Sequence, residues 1–292
     1  MVAVASGSLK IKMIIVKLMG GLGNQMFQYS AARGLSNRKK IYFDLSFLQT
    51  NTVSTDSFTA RAFELQIFNN LKFTIANPFL LRLIKTERKI IKWLRPKYDV
   101  LNDWENAGIA LNGKTNVIME GYFQNPTFFN HIRAALLSEF QFPSLSVDAY
   151  KIADQIGQNI NAVSIHVRRG DYLLPEVNAI HGTLSMDYYE KAIQTMNIKL
   201  DNPFYFIFSD DFEWCRENFV HLENKVIVPQ HNSAHTDMNL MSLCKHHIIA
   251  NSSFSWWGAW LCQNEKQIVI APKKWFNNNQ STNILPQNWI TI

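Results

Sequence analysis

Cysteine is scarce in this chain. Cys215, Cys244 and Cys262 are far apart, odd in number and form no Cys-x-x-Cys pair. That argues against a disulfide scaffold or a zinc knuckle and fits a reducing compartment, hence a cytoplasmic location. Long apolar runs are missing too: no stretch approaches the roughly 20 apolar residues of a membrane-spanning helix. The opening MVAVASGSLKIK has neither the basic start nor the apolar run of a secretory leader. A natural start at Met13 is expected, and residues 1–12 are left out of the fold reasoning. There is no internal repeat and no low-complexity tract. An Asp-x-Asp pair, which would bridge a divalent metal to a diphosphate, is also lacking, so no metal is expected.

What remains is globular. The chain has 292 residues, 47% of them apolar, enough for one large domain or two medium ones. The net charge of +6 is concentrated in one place: residues 76–100 carry seven Lys or Arg against one Glu and one Asp. Phe79, Leu80, Leu83, Ile84, Ile90, Ile91 and Leu94 can share one face there. An amphipathic basic helix over 79–94 is therefore expected. It is either a solvated surface helix or a peripheral contact with the inner face of a membrane; a nucleic-acid partner is not expected.

The apolar runs alternate with helical segments. MIIVKL (13–18) reads as a buried strand, GGLG as a loop, QMFQYSAARGLS as a helix and KIYFDL (40–45) as the next strand. Residues 115–125 read as a strand entering a turn, and PTFFNHIRAALLSEF (126–140) as one helix with Pro126 in its first turn. After a break at 141–150, β and α segments alternate to the end. This pattern predicts an α/β fold of two Rossmann-like domains facing a cleft. The halves are expected at 13–145 and 146–292.

Two loops and a strand end draw the chemistry. Gly21-x-Gly23, with Asp44 closing the next strand, is half of a dinucleotide fingerprint; Met26 stands where its third glycine would be. The loop either cradles a phosphate at a helix N-terminus or is a tight turn. SIHVRRGDY ends a strand and presents His166, Arg168, Arg169, Asp171 and Tyr172. Guanidinium groups keep their charge and grip phosphate with a fork of donors. NSSFS (251–255) precedes another helix, so its hydroxyls and amides suit an anion or simply a cap. Asp237 suits a helix N-cap. WWGAW fits core packing better than base stacking, and His246 and His247 lack metal-ligand spacing.

Taken together, GGLGNQMFQYSAA, HVRRGDY, FSDDFEWC and DMNLMSLCKHHIIANSSFSWWGAW resemble the bacterial alpha-1,2-fucosyltransferases of glycosyltransferase family 11, over residues 13 to about 285. The resemblance implies a GT-B-like fold with 13–145 on the acceptor side and 146–292 binding the donor, GDP-fucose as that donor, a galactose-terminated glycan as acceptor, inversion at the fucose anomeric carbon, and no cofactor or metal. It implies Arg168 at the β-phosphate, with Arg169 second or holding the loop through a carboxylate. Ser253, Phe254 and Ser255 would bind the diphosphate from the far side, and Asn24 and Gly23 from the other half. Asp237 would read guanine, with His166 beside it. Asp171 and Glu176 are candidates for the base, with His181 a weaker third. Gln25, Tyr122 and Gln124 would touch the acceptor. Two other classes stay open: a nicotinamide-dependent oxidoreductase using Gly21, Gly23 and Asp44, and a non-catalytic nucleotide-sugar or glycan binder.

Overall fold

The computed structural model describes residues 13–36, 39–85, 98–103, 116–277 and 283–292. Runs of apolar residues bounded by turns become strands covered on both faces, as parallel sheets require. In the first half these are β1 (Met13–Lys17), β2 (Lys40–Asp44), β3 (Thr74–Ile75), β4 (Asp99–Asn102) and β5 (Asn116–Glu120). They form one parallel sheet in the order β3-β2-β1-β5-β4. The second half holds β6 (Ala162–Val167), β7 (Phe204–Ser209), β8 (Lys225–Ile227), β9 (His246–Ile248), β10 (Val269–Ala271) and β11 (Ile290–Thr291). Their order is β11-β10-β9-β6-β7-β8, again parallel. Two parallel α/β domains, the GT-B-like arrangement, are thus present.

The helices are α1 (Leu22–Leu35), α2 (Ser46–Thr50), α3 (Pro78–Lys85), α4 (Arg133–Glu139), α5 (Val147–Gln158), α6 (Pro175–Ile180), α7 (Met186–Lys199), α8 (Phe212–Asn218), α9 (Ala234–Leu243) and α10 (Ser253–Leu261). Residues 126–140 do not make one helix. Pro126–Phe128 and Asn130–Ile132 are two 3-10 turns ahead of α4, and the Asn125 side chain caps the first by accepting from the Thr127 N–H. The expected basic helix is described only as far as Lys85, and its residues 86–94 lie outside the described set. The apolar face of α3 is partly spent on the sheet: Ile84 is buried and Leu80 and Leu81 pack beside Met13 and Ile15, while Phe79 is exposed. Among the described residues, no helix is long and apolar enough to cross a membrane.

One aromatic core joins the two halves. Phe27 of α1 packs on Trp256 and Trp257 of α10, with ring centroids 4.5 and 5.1 Å away. Phe129 stacks on Trp257 at 5.6 Å. Trp256 and Trp257 are fully buried, so WWGAW is a packing motif. Each indole N–H finds a carbonyl: Trp257 donates to Gly23 and Trp256 to Ile284. Arg133 fastens the far end of α10, donating to the carbonyls of Trp260 and Cys262 at 2.9 and 2.8 Å. Cations at a helix C-terminus are favoured by the helix dipole.

Candidate active site

The site begins where β6 and β7 end. The two strands are parallel neighbours, with Val167 opposite Ser209. The next residues, Arg168-Arg169 on one strand and Asp210-Asp211 on the other, therefore emerge side by side. Arg168 donates to Asp210 through one terminal nitrogen (2.8 Å) and to Asp171 through the other (2.7 Å). Arg169 donates from Nε to Asp211 (2.9 Å), and its backbone N–H goes to Asp210 (2.8 Å). The Arg169 guanidinium also lies 4.5 Å from the Trp214 ring centroid. Arg169 is thus committed to holding the loop. Arg168 uses two of its five N–H donors on carboxylates and keeps three for another partner.

Two helix N-termini meet in front of these arginines. A Cβ on Gly23 would stand 2.7 Å from the Ser253 carbonyl carbon and 2.8 Å from the Phe254 nitrogen. Gly23 therefore serves close approach between α1 and α10, and its carbonyl is taken by Trp257. Gly20 turns the chain at φ +73, folded over Asn24. Asn24 accepts a hydrogen bond from Gln124 at 2.8 Å, so these two predicted residues share one spot. Tyr122 is half-buried beside them, in a turn whose backbone N–H groups at Tyr122 and Phe123 donate to Asp103.

Several expected contacts are corrected by burial. Gln25 is fully buried and does not face an acceptor. Its amide donates to the carbonyls of Gly20 and Ala62 and accepts from the Glu64 N–H, which pins segment 61–64 to α1. Ser255 is also fully buried, and its hydroxyl is spent on the Ala250 and Ser252 carbonyls. The N-cap of α10 is Ser252, which accepts from the Phe254 N–H, leaving Ser253 and Phe254 partly exposed at the helix start. Ser233, and not Asp237, caps α9. Asp237 lies one turn in, accepting from Asn232 at 2.8 Å. Burial pushes its carboxyl up to about 6, partly offset by that hydrogen bond. Asp44 is buried and accepts from the Ser46 N–H, a turn-closing contact, so it is not placed for a ribose.

His166 is buried against Phe254, with ring centroids 5.3 Å apart. Burial, then the charge of Arg168, pushes it down to about 3, so it is neutral at ordinary pH. The base candidates separate. Asp171 lies at the centre, accepting from Arg168, from Arg61 (3.3 Å) and from Thr59 (3.2 Å). Glu176 is exposed on α6, and no hydrogen bond or ion pair ties it to the arginines. His181 stacks on Tyr172 at 4.9 Å, and burial lowers its pKa.

Thr59, Arg61, Glu64, Asp210 and Asp211 were not foreseen as site residues. The two aspartates had a signal, because RR and DD end adjacent strands. Segment 59–64 had none, being irregular and placed by long-range contacts with Gln25, Leu22 and Asp171. Burial pushes the Glu64 carboxyl up, against the opposing effects of Arg61 and of a hydrogen bond from the Leu22 N–H. A cavity of about 260 Å³ runs between Leu22, residues 62–64 with Gln66 and Ile67, and Ser233–His235 at the start of α9.

A cleft with a cation at a strand end, two convergent helix N-termini and a half-buried carboxylate farther along suits a nucleoside diphosphate. The glycosyl transferase family 11 profile matches residues 2–292. The chain belongs to glycosyl transferase family 11. The O-antigen biosynthesis glycosyltransferase WbnK of Escherichia coli is 34% identical, over 94% of this chain and 99% of that one. An alpha-1,2-colitosyltransferase of Escherichia coli is 32% identical, over 97% and 99%. The galactoside 2-alpha-L-fucosyltransferase SEC1 of Bos taurus is 30% identical over 55% of this chain and 46% of its own length. Membership of a glycosyl transferase family favours glycosyl transfer over the nicotinamide-dependent reading.

Proposed function

We propose that this protein transfers L-fucose from GDP-fucose to the 2-hydroxyl of a beta-galactoside, with inversion and without a metal. The observation that carries the reading is Arg168, fixed by Asp171 and Asp210 at a strand end with three donors to spare. In the reaction the bond between the fucose anomeric carbon and the β-phosphate oxygen breaks, and its electron pair stays on GDP. The acceptor oxygen forms the new bond from the opposite face and releases its proton. Charge grows on the β-phosphate as the bond breaks, so a preoriented guanidinium favours the transition state over the bound donor. Ser253 and the first amides of α10 face the same anion, where the helix dipole adds to the attraction. Asp237, ionised, accepts from the guanine N1–H and amino group. The free, buried thiols of Cys215, Cys244 and Cys262 support a cytoplasmic setting.

A second donor reading is favoured by one finding, the colitosyltransferase that matches nearly the whole chain. Colitose is fucose without its 3-hydroxyl, so the same leaving-group machinery would serve. Competition between GDP-fucose and GDP-colitose for a lacto-series acceptor, with the product linkage read by NMR, decides between them. Transfer of fucose to the galactose 2-hydroxyl, undiminished by EDTA, is the expected result. Preferential transfer of the deoxy sugar would replace the donor, and loss of activity on chelation would overturn the metal-free reading.

A further inference from the structure

Arg168 shares its carboxylate with a second guanidinium from the other half of the molecule. Asp171 holds Arg168 on one oxygen at 2.7 Å and Arg61 on the other at 3.3 Å, with the Thr59 hydroxyl also donating to the second oxygen. Arg61 belongs to the irregular segment between α2 and β3. Its Cδ and Nε lie 3.6 Å from the point where a Cβ on Gly21, the N-cap of α1, would stand. Two arginines from opposite walls thus converge on one acid beside the start of α1. A carboxylate clamped between two guanidinium groups marks a place where an anion with several oxygens is held. The Arg61 side chain keeps 35% of its surface open, so it can be reached from the cleft.

Its position is built, not incidental. Gln25 uses one amide donor and its amide oxygen to fix Ala62 and Glu64 to α1, and the Glu64 carboxylate takes the Leu22 N–H and faces Arg61. Two long side chains fixed on a bare surface pair would contribute little, and such scaffolding would be wasted on a simple ion pair. We propose that Arg61 is a second catalytic cation, reaching from the acceptor-side domain to the β-phosphate of the leaving nucleotide. The inference rests on the donor reading above. Asp171 is then the group that keeps both guanidiniums converged when no diphosphate is bound. The bound diphosphate competes with it for their donors.

The alternative for Arg61 is a latch between domains, and the two differ in what they ask of the ligand. GDP and GMP share guanosine and the α-phosphate and differ in the β-phosphate. Titration of GDP and GMP into the full-length protein and its Arg61→Ala variant separates the roles. The expected result is GDP affinity about tenfold or more weaker, GMP affinity within about twofold of wild type, and turnover lower by about a hundredfold. Arg61→Lys keeps the charge without the fork and is expected to fall between. Asp171→Asn leaves the cations without their competitor, so its GDP affinity holds or rises. Equal weakening of GDP and GMP, or Asp171→Asn losing GDP affinity as Arg61→Ala does, would show a latch and overturn the assignment. An unchanged GDP affinity in Arg61→Ala would also sink it. Should the wild-type protein bind no GDP, the donor reading falls first and this assignment with it.

Discussion

The two walls of the cleft are built in different ways. The wall of the second half is made of strand ends: β6 and β7 deliver Arg168, Arg169, Asp210 and Asp211 in register, and each arginine finds a carboxylate on the neighbouring strand. The wall of the first half is an irregular strap, Thr59 to Glu64, positioned by one buried amide on α1. The first is rigid because the sheet is rigid. The second is held by two hydrogen bonds with Gln25 and by side-chain contacts at its ends, to Asp171 and to the Leu22 N–H. Functional groups on regular elements are held more tightly than groups on loops, and loops are where change between relatives is absorbed.

Arg168→Ala attacks the strand-end wall directly. Turnover is expected to fall by about a hundredfold or more, the scale of one preorganised charge-stabilising donor, while the melting temperature stays near wild type. Saturation kinetics with thermal unfolding check both halves of this. A variant at full speed with saturating donor would move the phosphate role elsewhere. Gln25→Ala attacks the strap through its support. Two carbonyls and one N–H lose their buried partners, at a cost of about 1–3 kcal/mol each way of counting a buried unmatched group. Because Arg61 is displaced with the strap, turnover should fall together with stability. A stable, fully active Gln25→Ala would mean that the strap holds itself.

Gly23→Ala tests the seam between the walls. A Cβ there meets backbone, which cannot swing aside, so overpacking of about 1–3 kcal/mol is expected, read as a lowered denaturant midpoint. The smallest effect is expected for pH. Asp237 titrates near 6 in the folded protein against an ordinary 3.8. A raised carboxyl favours the protonated folded form, so its burial penalty is present above about pH 6 and relaxes as pH falls from there toward about 4. With the proposed guanine contact, which uses the ionised form, GDP affinity should drop as pH passes below about 6. Asp237→Asn should bind GDP weakly and without that pH dependence. A wild-type affinity that is flat across this range would remove Asp237 from the base site.

The same contrast explains what was legible in the sequence. Parallel strands announce themselves as buried apolar runs, and a polar motif at such a run's end falls in the cleft by geometry. HVRRGDY could therefore be placed from sequence, and FSDD, which ends the neighbouring strand, carried the same signal without being assigned to the site. Short-range pattern does not say which polar side chains turn inward. Gln25 and Asn24 are neighbours on one helix, yet the first is fully buried and the second bonds Gln124 at the cleft. Ser253 and Ser255 divide in the same way. Arg61 was invisible because the contact that matters spans 110 residues and starts from a segment with no periodicity. The break of 126–140 into 3-10 turns was missed for a related reason: Asn125 capping and the packing of Phe129 on Trp257 override local helix preference.

The aromatic seam of Phe27, Phe129, Trp256 and Trp257 has a consequence for modularity. Two-domain transferases invite recombination, one half choosing the donor and the other the acceptor. Here the largest apolar cluster belongs to neither half alone, because α1 and α10 complete it together, although the second half also has two clusters of its own. A chimera joined in the connecting stretch before α5 would put together two faces that never matched, unless the seam residues were transplanted with it.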